Sequence, residues 1–342
     1  MSLTRELKDY ARSLGFHLVG VTSPDPFEAA QLDITRWLAE GHQGDMAWLN
    51  DARARLATRP RELLPDAQSL IVVGASYRTE EPSDGPGGRV SRYAWGGDYH
   101  NAMKRRLRAL ADWLAEHSGR EIRSRIFVDD GPLAERDAAI RAGLGFRGKN
   151  TNLLTPIGSF VFLGALLTDV ELEFDKPVEK DCGTCRLCID ACPTDALDQA
   201  FHLAAERCIA YLTIEHRGPI ADELRPKLGD WVFGCDICQE VCPHNASKSH
   251  PRGWPEFEPR QGTRLDLISV LATDEKDFRE TYRDSPIKRT KRRGLVRNAA
   301  LALGNVGEPE SLPPLERLAA DEPDPLVSEA AGWAVRRLRS KS

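Results

Sequence analysis

All eight cysteines of the chain fall between Cys182 and Cys242. The first four read Cys182-x2-Cys185-x2-Cys188-x3-Cys192-Pro193. A second run, Cys235-x2-Cys238-x3-Cys242-Pro243, is one cysteine short, and Cys208 is left to complete it. Closely spaced thiolates can wrap one cubane, and the proline after each run turns the chain away from it. This is the spacing that binds [4Fe–4S] clusters. Where two such runs cooperate, the fourth cysteine of each ligates the other cluster. The expected sets are Cys182, Cys185, Cys188 and Cys242 for one cluster, and Cys192, Cys208, Cys235 and Cys238 for the other. Zinc sites of four cysteines would show separated Cys-x-x-Cys pairs, and structural disulfides belong to an oxidising compartment. Taken alone, the block predicts an electron relay.

The other residues must say what the electrons are for. A chain of 342 residues has room for two or three domains. Its 41% hydrophobic and 29% charged content is ordinary for a soluble globular protein. The opening MSLTRELKDYARSLGF reads as a polar amphipathic helix rather than a targeting signal. No run approaches the roughly 20 apolar residues that a membrane span requires. Reduced cysteines without a signal point to the cytoplasm, no membrane partner is expected, and the chain is expected to be a monomer.

Residues 1–175 read as an α/β domain. Leu3, Leu7, Tyr10, Ala11 and Leu14 recur at helical spacing, and Phe16–Thr22 follows as a strand. Leu70–Val73 suits a buried strand, residues 80–89 (EEPSDGPGGR) form a loop, and Leu107, Leu110, Ala111 and Leu114 stripe a helix over about 99–117. A strand over Arg125–Val128 leads to Asp129, a helix is expected from Pro132 to about Ala142, and Ser159–Leu167 is a further β-prone run. Residues 176–255 make the ferredoxin-like domain with two [4Fe–4S] clusters. Residues 256–342 hold a basic linker and three helical segments, Leu295–Leu303, Ser311–Ala320 and Leu326–Leu338, patterned as a short HEAT-like repeat.

Net charge is −5, yet eight basic residues lie between Arg279 and Arg297 with only Glu280 and Asp284 against them. Such a stretch on a helical scaffold suits a phosphate backbone, because neutralising phosphates releases counterions. The candidate nucleic-acid contacts are Lys288, Arg289, Lys291, Arg292, Arg293 and Arg297. In the first domain, two polar, glycine-bearing loops, Ser91–His100 and Gly143–Asn152, could surround a large polar cofactor. Lys149, Asn150 and Thr151 are the candidate cofactor contacts there. Asp129 and Asp130 lie between a strand and a helix. One carboxylate, most simply Asp130, can cap that helix. Asp129 is then left at a strand end, where sites in α/β folds gather.

Together these stretches resemble the epoxyqueuosine reductases over nearly the whole chain. The resemblance is carried by Ser91-Arg-Tyr-Ala-Trp-Gly96, Phe127-Val-Asp-Asp-Gly-Pro132, Gly143-Leu-Gly-Phe-Arg-Gly-Lys-Asn-Thr151 and the cysteine pattern. Cys208-Ile-Ala-Tyr-Leu-Thr-Ile-Glu215, Gly234-Cys-Asp-Ile-Cys-Gln-Glu-Val-Cys-Pro243 and Lys288-Arg-Thr-Lys-Arg-Arg-Gly294 add to it. The resemblance implies a reductive-dehalogenase-like α/β domain holding cobalamin, and a substrate carrying epoxyqueuosine at the wobble position of a tRNA with a GUN-type anticodon. It implies Asp129 as the catalytic proton donor, Arg55, Arg92, Asp129 and Asp236 beside Lys149, Asn150 and Thr151 as candidate cobalamin contacts, and a flavodoxin or ferredoxin reductase system as electron donor. Asp130-Gly131 stands where the family frequently has Thr-Ala. The fingerprint that supplies a histidine to cobalt, Asp-x-His-x-x-Gly, fails here, since Asp98-Tyr-His100 is followed by Met103. Two other readings share the cysteines: a cobalamin-dependent reductive dehalogenase, and a ferredoxin-like electron carrier without catalysis.

Overall fold

The computed structural model describes residues 2–79, 85–247 and 249–341. Its central sheet has four strands in the order Leu18–Thr22, Ser69–Ser76, Val161–Thr168, Ser124–Phe127, every neighbour antiparallel. Ser69–Ser76 is buried along its whole length, since it lies between two partners and under helices on both faces. Its alternate side chains separate as strand geometry requires. Ile71 and Val73 enter the apolar cluster that holds Leu7, Ala11, Met103, Leu107, Leu110 and Leu114, while Leu70 and Val72 enter the one that holds Leu63, Ala138 and Ala139.

The expected elements are present with shifted ends. The helix over the sheet runs Tyr99–His117, capped by the Asp98 carboxylate on the His100 N–H. The helix expected from Pro132 instead runs Glu135–Arg141, with Ala134 at its start and no side-chain cap. Gly131-Pro132-Leu133 is spent as a spacer, and Asp130 pairs with Lys104, so neither aspartate caps that helix. Of the loop expected over 80–89, residues 80–84 lie outside the described residues, and Gly88–Val90 is a short strand between Trp231–Phe233 and Arg264–Leu265.

Each cysteine run folds into one short helix, Leu187–Asp190 and Ile237–Glu240, and the two helices pack on each other. A buried polar network fastens this unit to the sheet. The Asn245 side chain accepts from the Ser159 N–H at 2.8 Å and donates to Ser159 Oγ and to the Gln239 carbonyl, while Ser159 Oγ donates to Gln239 Oε1. The carboxy-terminal helices run Lys291–Val306, Leu312–Asp321 and Pro325–Arg339. Their core does not stop at residue 256. One apolar cluster joins Val90, Ala94 and Trp95, the segment from Ala205 to Phe233, and the helices as far as Leu338. The repeat is thereby packed against the same segment that supplies Cys208 and leads into Cys235.

Candidate active site and electron path

Asp129 lies two residues beyond the strand Ser124–Phe127 with φ of 59°, in the left-handed region that aspartate tolerates better than most residues. Two contacts hold it there. Its N–H donates to Glu135 Oε2 at 2.9 Å, and the Tyr99 hydroxyl donates to its Oδ2 at 2.5 Å. The rest of the carboxylate faces out, with 69% of the side chain exposed. Tyr99 is itself fixed by stacking on Phe162, with ring centroids 4.1 Å apart and planes within 6°. Burial, then the charge of Asp129, push the Tyr99 phenol well above its ordinary range, so it stays a neutral donor.

A second line of contacts approaches Asp129 from the basic segment. His100 Nδ1 is 2.7 Å from Asp98 Oδ1, which fixes the proton on that nitrogen and turns Nε2 toward Asp129 Oδ2, 4.0 Å away. Lys288 donates to the other oxygen of Asp98 at 2.8 Å. His100 first, then Lys288, hold the Asp98 carboxyl well below the usual range. Arg289 pairs with Glu215, which raises its pKa, and the nearby Asp129 and Tyr93 add smaller contributions in the same direction.

Glu135 was not foreseen. In sequence it is one of two acids in the first turn of a helix, an ordinary place for them. In the fold it is half-buried beneath the Asp129 loop. Burial, and then the Asp129 charge, push its carboxyl up to about 8. Its Oε1 is buried without a hydrogen-bond partner among the described residues, as suits a carboxyl that is not fully ionised.

The loop of Lys149, Asn150 and Thr151 lies between Asp129 and the cysteines. Lys149 donates to the carbonyls of Gly183 (2.6 Å) and Cys185 (2.9 Å), and Asn150 Nδ2 donates to the Cys238 carbonyl at 3.1 Å. Thr151, at φ 66°, gives its carbonyl to Arg136 on the helix that also carries Glu135. The loop thus ties both cysteine runs to the helix beneath Asp129. Arg92 is buried, with its guanidinium over the rings of Phe160 (5.0 Å) and Trp95 (5.3 Å).

Burial corrects two candidates, Asp236 and Arg297, while Arg55 lies at the surface. Asp236 is 1% exposed and takes hydrogen bonds from Ser91 Oγ (2.6 Å) and the Arg92 N–H (2.7 Å), so it locks the first polar loop to the second cysteine run and has no surface for a cofactor. Arg297 is likewise 1% exposed. It donates to the carbonyls of Leu212, His216 and Gly218, which makes it a packing residue rather than a phosphate contact. Arg55 is held by Glu62 at 2.9 and 3.1 Å, and it is Arg53 of the same helix that reaches the Asp129 loop, at the Gly131 carbonyl. Of the remaining basic residues, Arg292 is ion-paired to Glu322 and largely covered, Arg293 pairs with Asp324 from an exposed position, and Lys291 is exposed without an ion pair among the described residues.

None of the eight cysteines is in a disulfide. A cavity of about 210 Å³ is lined by Cys182, Cys185, Cys188 and Cys242, together with Lys149, Asn150 and His244. Cys192 is not among its walls. On the other side, Cys235 and Cys238 both feel the charge of Cys208, and Cys208 feels that of Cys192. Burial raises the thiols of Cys188, Cys208, Cys235, Cys238 and Cys242. Partly buried thiols gathered in fours, with no disulfide among them, are a donor set for soft, positively charged iron.

Residues 181–245 match the 4Fe-4S double cluster binding domain, 287–336 match HEAT repeats, and 58–130 match the family described as epoxyqueuosine reductase QueG, DUF1730. The epoxyqueuosine reductase of Synechocystis sp. is 41% identical over 292 residues, which cover 84% of this chain and 98% of that protein. The one from Escherichia coli K12 is 37% identical over 342 residues, covering 97% and 89%. This chain belongs to the epoxyqueuosine reductases. A crystal structure of epoxyqueuosine reductase with an epoxyqueuosine-modified tRNA-Tyr stem loop superposes with a TM-score of 0.91 at 33% identity, covering 98% of this chain and 90% of that one. The Bacillus subtilis enzyme, solved with its aspartate catalytic loop swung out of the active site, gives a TM-score of 0.89 at 32% identity with the same coverage. Among the described residues no helix is long and apolar enough to cross a membrane.

Proposed function

We propose that this chain reduces the epoxide of epoxyqueuosine in tRNA to the alkene of queuosine, with Asp129 as the proton donor. The observation that carries the reading is the line Lys288–Asp98–His100–Asp129, which brings the basic segment to within two side chains of an exposed carboxyl. An RNA held on Lys288, Arg289, Lys291 and Arg293 would present a splayed-out base to Asp129. Two electrons and two protons convert the epoxide to an alkene and water. When bound, cobalamin and the two [4Fe–4S] clusters supply that electron chemistry one electron at a time. Cys182, Cys185, Cys188 and Cys242 would hold one cluster, and Cys192, Cys208, Cys235 and Cys238 the other. The crossed assignment is supported by the cavity that includes Cys242 and omits Cys192. Lys149, Asn150 and Thr151, between the second run and Asp129, lie where a cofactor must take electrons from one side and meet substrate on the other.

The chain's own residues move the protons. A ring oxygen leaves badly as an alkoxide, so a positioned acid must protonate it as the bond breaks. Tyr99 orients Asp129 for this by donating to Oδ2, which leaves Oδ1 to face the substrate. Glu135, pushed up to about 8, carries a proton at neutral pH beside the same loop. His100 keeps its Nδ1 proton on Asp98 and offers Nε2 toward Asp129 from the side of the basic segment. The electron donor would be a flavodoxin or a ferredoxin reductase system, and the working unit a monomer.

The test is Asp129→Asn in protein loaded with both clusters and cobalamin. It should bind modified tRNA and both cofactors as the parent does and lose turnover by at least 10²-fold, the scale of general acid catalysis. Unchanged turnover would remove Asp129 from the mechanism. Failure of the parent to convert epoxyqueuosine tRNA under strong reductant would sink the whole reading.

A further inference from the structure

Away from the active site, the helix Glu28–Ala39 ends in Glu40, and the chain turns through Gly41 (φ 79°) to place His42 beside it. His202, from the segment between Cys192 and Cys208, meets them. The three side chains bring a carboxylate oxygen and two imidazole nitrogens within 4.8 Å of one another. Their spacing is informative. Glu40 Oε2 is 3.4 Å from His42 Nε2 and 3.7 Å from His202 Nε2, longer than ordinary hydrogen bonds. Ligands about 2.0–2.1 Å from a tetrahedral zinc stand about 3.3 Å apart. The two rings are nearly perpendicular, at 79° with centroids 4.7 Å apart, so their Nε2 atoms approach a common point from different directions.

The outer nitrogens complete the pattern. His42 Nδ1 is 3.1 Å from Glu206 Oε1, and His202 Nδ1 is 2.8 Å from Asp198 Oδ1. A carboxylate on Nδ1 holds the proton there and leaves the Nε2 lone pair free, which is how metal-binding histidines are oriented. Two histidines oriented in this way, with Nε2 atoms that converge on a third oxygen, form a donor set suited to one cation. About one-fifth of each imidazole side chain is exposed, which leaves an entry path and room for water as a fourth ligand.

We propose that Glu40, His42 and His202 bind one zinc ion, with Glu206 and Asp198 as outer partners. The ion clamps the end of the helix Glu28–Ala39 to the segment that leads into Cys208, where Trp37 Nε1 already donates to the Leu203 carbonyl at 2.7 Å. It would act as a brace for the cluster region, chemically separate from it, because its donors are nitrogen and oxygen while the clusters take thiolates.

The test uses full-length protein with both clusters loaded, dialysed against micromolar zinc chloride. Metal analysis should find about one zinc per chain, and zinc-edge X-ray absorption should show a nitrogen and oxygen shell near 2.0–2.1 Å with no sulfur near 2.3 Å. His42→Ala and His202→Ala should each abolish that zinc while iron stays at the parental level. Glu206→Gln and Asp198→Asn should weaken zinc about 10–100-fold. The last two variants keep the assay decisive should a histidine variant fail to take up iron. A zinc shell containing sulfur, zinc unaffected by all four substitutions, or an iron-replete parent that takes up no zinc would each overturn the proposal.

Discussion

Replacing Glu135 with Gln should stabilise the protein by an amount that grows with pH. Gln keeps the side-chain oxygen that accepts from the Asp129 N–H at 2.9 Å, so the loop geometry is retained and only the titration is removed. In the fold, burial and the Asp129 charge raise the Glu135 carboxyl from near 4.5 to about 8. The sign follows from proton counting. Below about pH 4.5 folded and unfolded chains are both protonated there, and parent and variant differ by a constant. Between about 4.5 and 8 the unfolded chain has lost the proton and the folded chain keeps it, so the parent loses stability as pH rises. Above about 8 the difference levels off. A rise from 4.5 to 8 corresponds to a ceiling of about 5 kcal/mol. Partial solvent access and relaxation reduce this to roughly 2 kcal/mol. Urea midpoints of cluster-loaded parent and variant, measured side by side from pH 5 to 9, give the difference with cluster loss common to both. A difference that stays flat across that range would refute the claim that Glu135 is neutral at pH 7.

Four further outcomes follow from the same contacts. Cys242→Ser should disturb the cluster of Cys182, Cys185 and Cys188, and Cys192→Ser the other one. Mössbauer spectra of the two variants should therefore lose different clusters, and loss of the same cluster in both would exclude crossing. Lys291→Ala and Arg293→Ala should each lower the salt dependence of tRNA binding by about one in log–log slope without changing kcat; an unchanged slope would free both from phosphate contact. Lys288→Ala, which also releases Asp98, should lower kcat as well as affinity, and an effect on affinity alone would show that the Asp98–His100 line is idle. Arg297→Ala should cost about 3–5 kcal/mol in chemical denaturation, because three carbonyls lose their buried donor, and a near-neutral effect would contradict that role.

How much of this was legible depended on whether a residue's role was local. The cysteine spacing is local, since each run must bring its thiolates around one point within a dozen residues. The strand Ser69–Ser76 and the helix Tyr99–His117 were equally readable, because apolar period is set by the element's own geometry. Arg297 and Arg292 look alike in sequence, yet one fills the seam beneath Leu212, His216 and Gly218 and the other pairs with Glu322 in a largely covered ion pair. Only the packing of the repeat against the segment Ala205–Phe233 separates them. Asp236 was misread for the same reason: its partners Ser91 and Arg92 are about 145 residues away. Glu135, His42 and His202 carried no signal at all. Their neighbours in sequence are ordinary, and their chemistry arises from side chains brought together across the fold.

The most consequential of these long-range contacts is the pairing of Lys288 with Asp98. Lys288 cannot donate to a phosphate with all its charge and also neutralise Asp98. An RNA that draws Lys288 away leaves Asp98 paired with His100 alone. His100 Nε2 in turn stands 4.0 Å from Asp129 Oδ2. Glu135 meets Asp129 from beneath, at its backbone N–H, so the glutamate and the histidine flank the loop from different directions. The contacts join the basic segment to the Asp129 loop through Asp98 and His100, so a phosphate that takes Lys288 acts on that line at its first link.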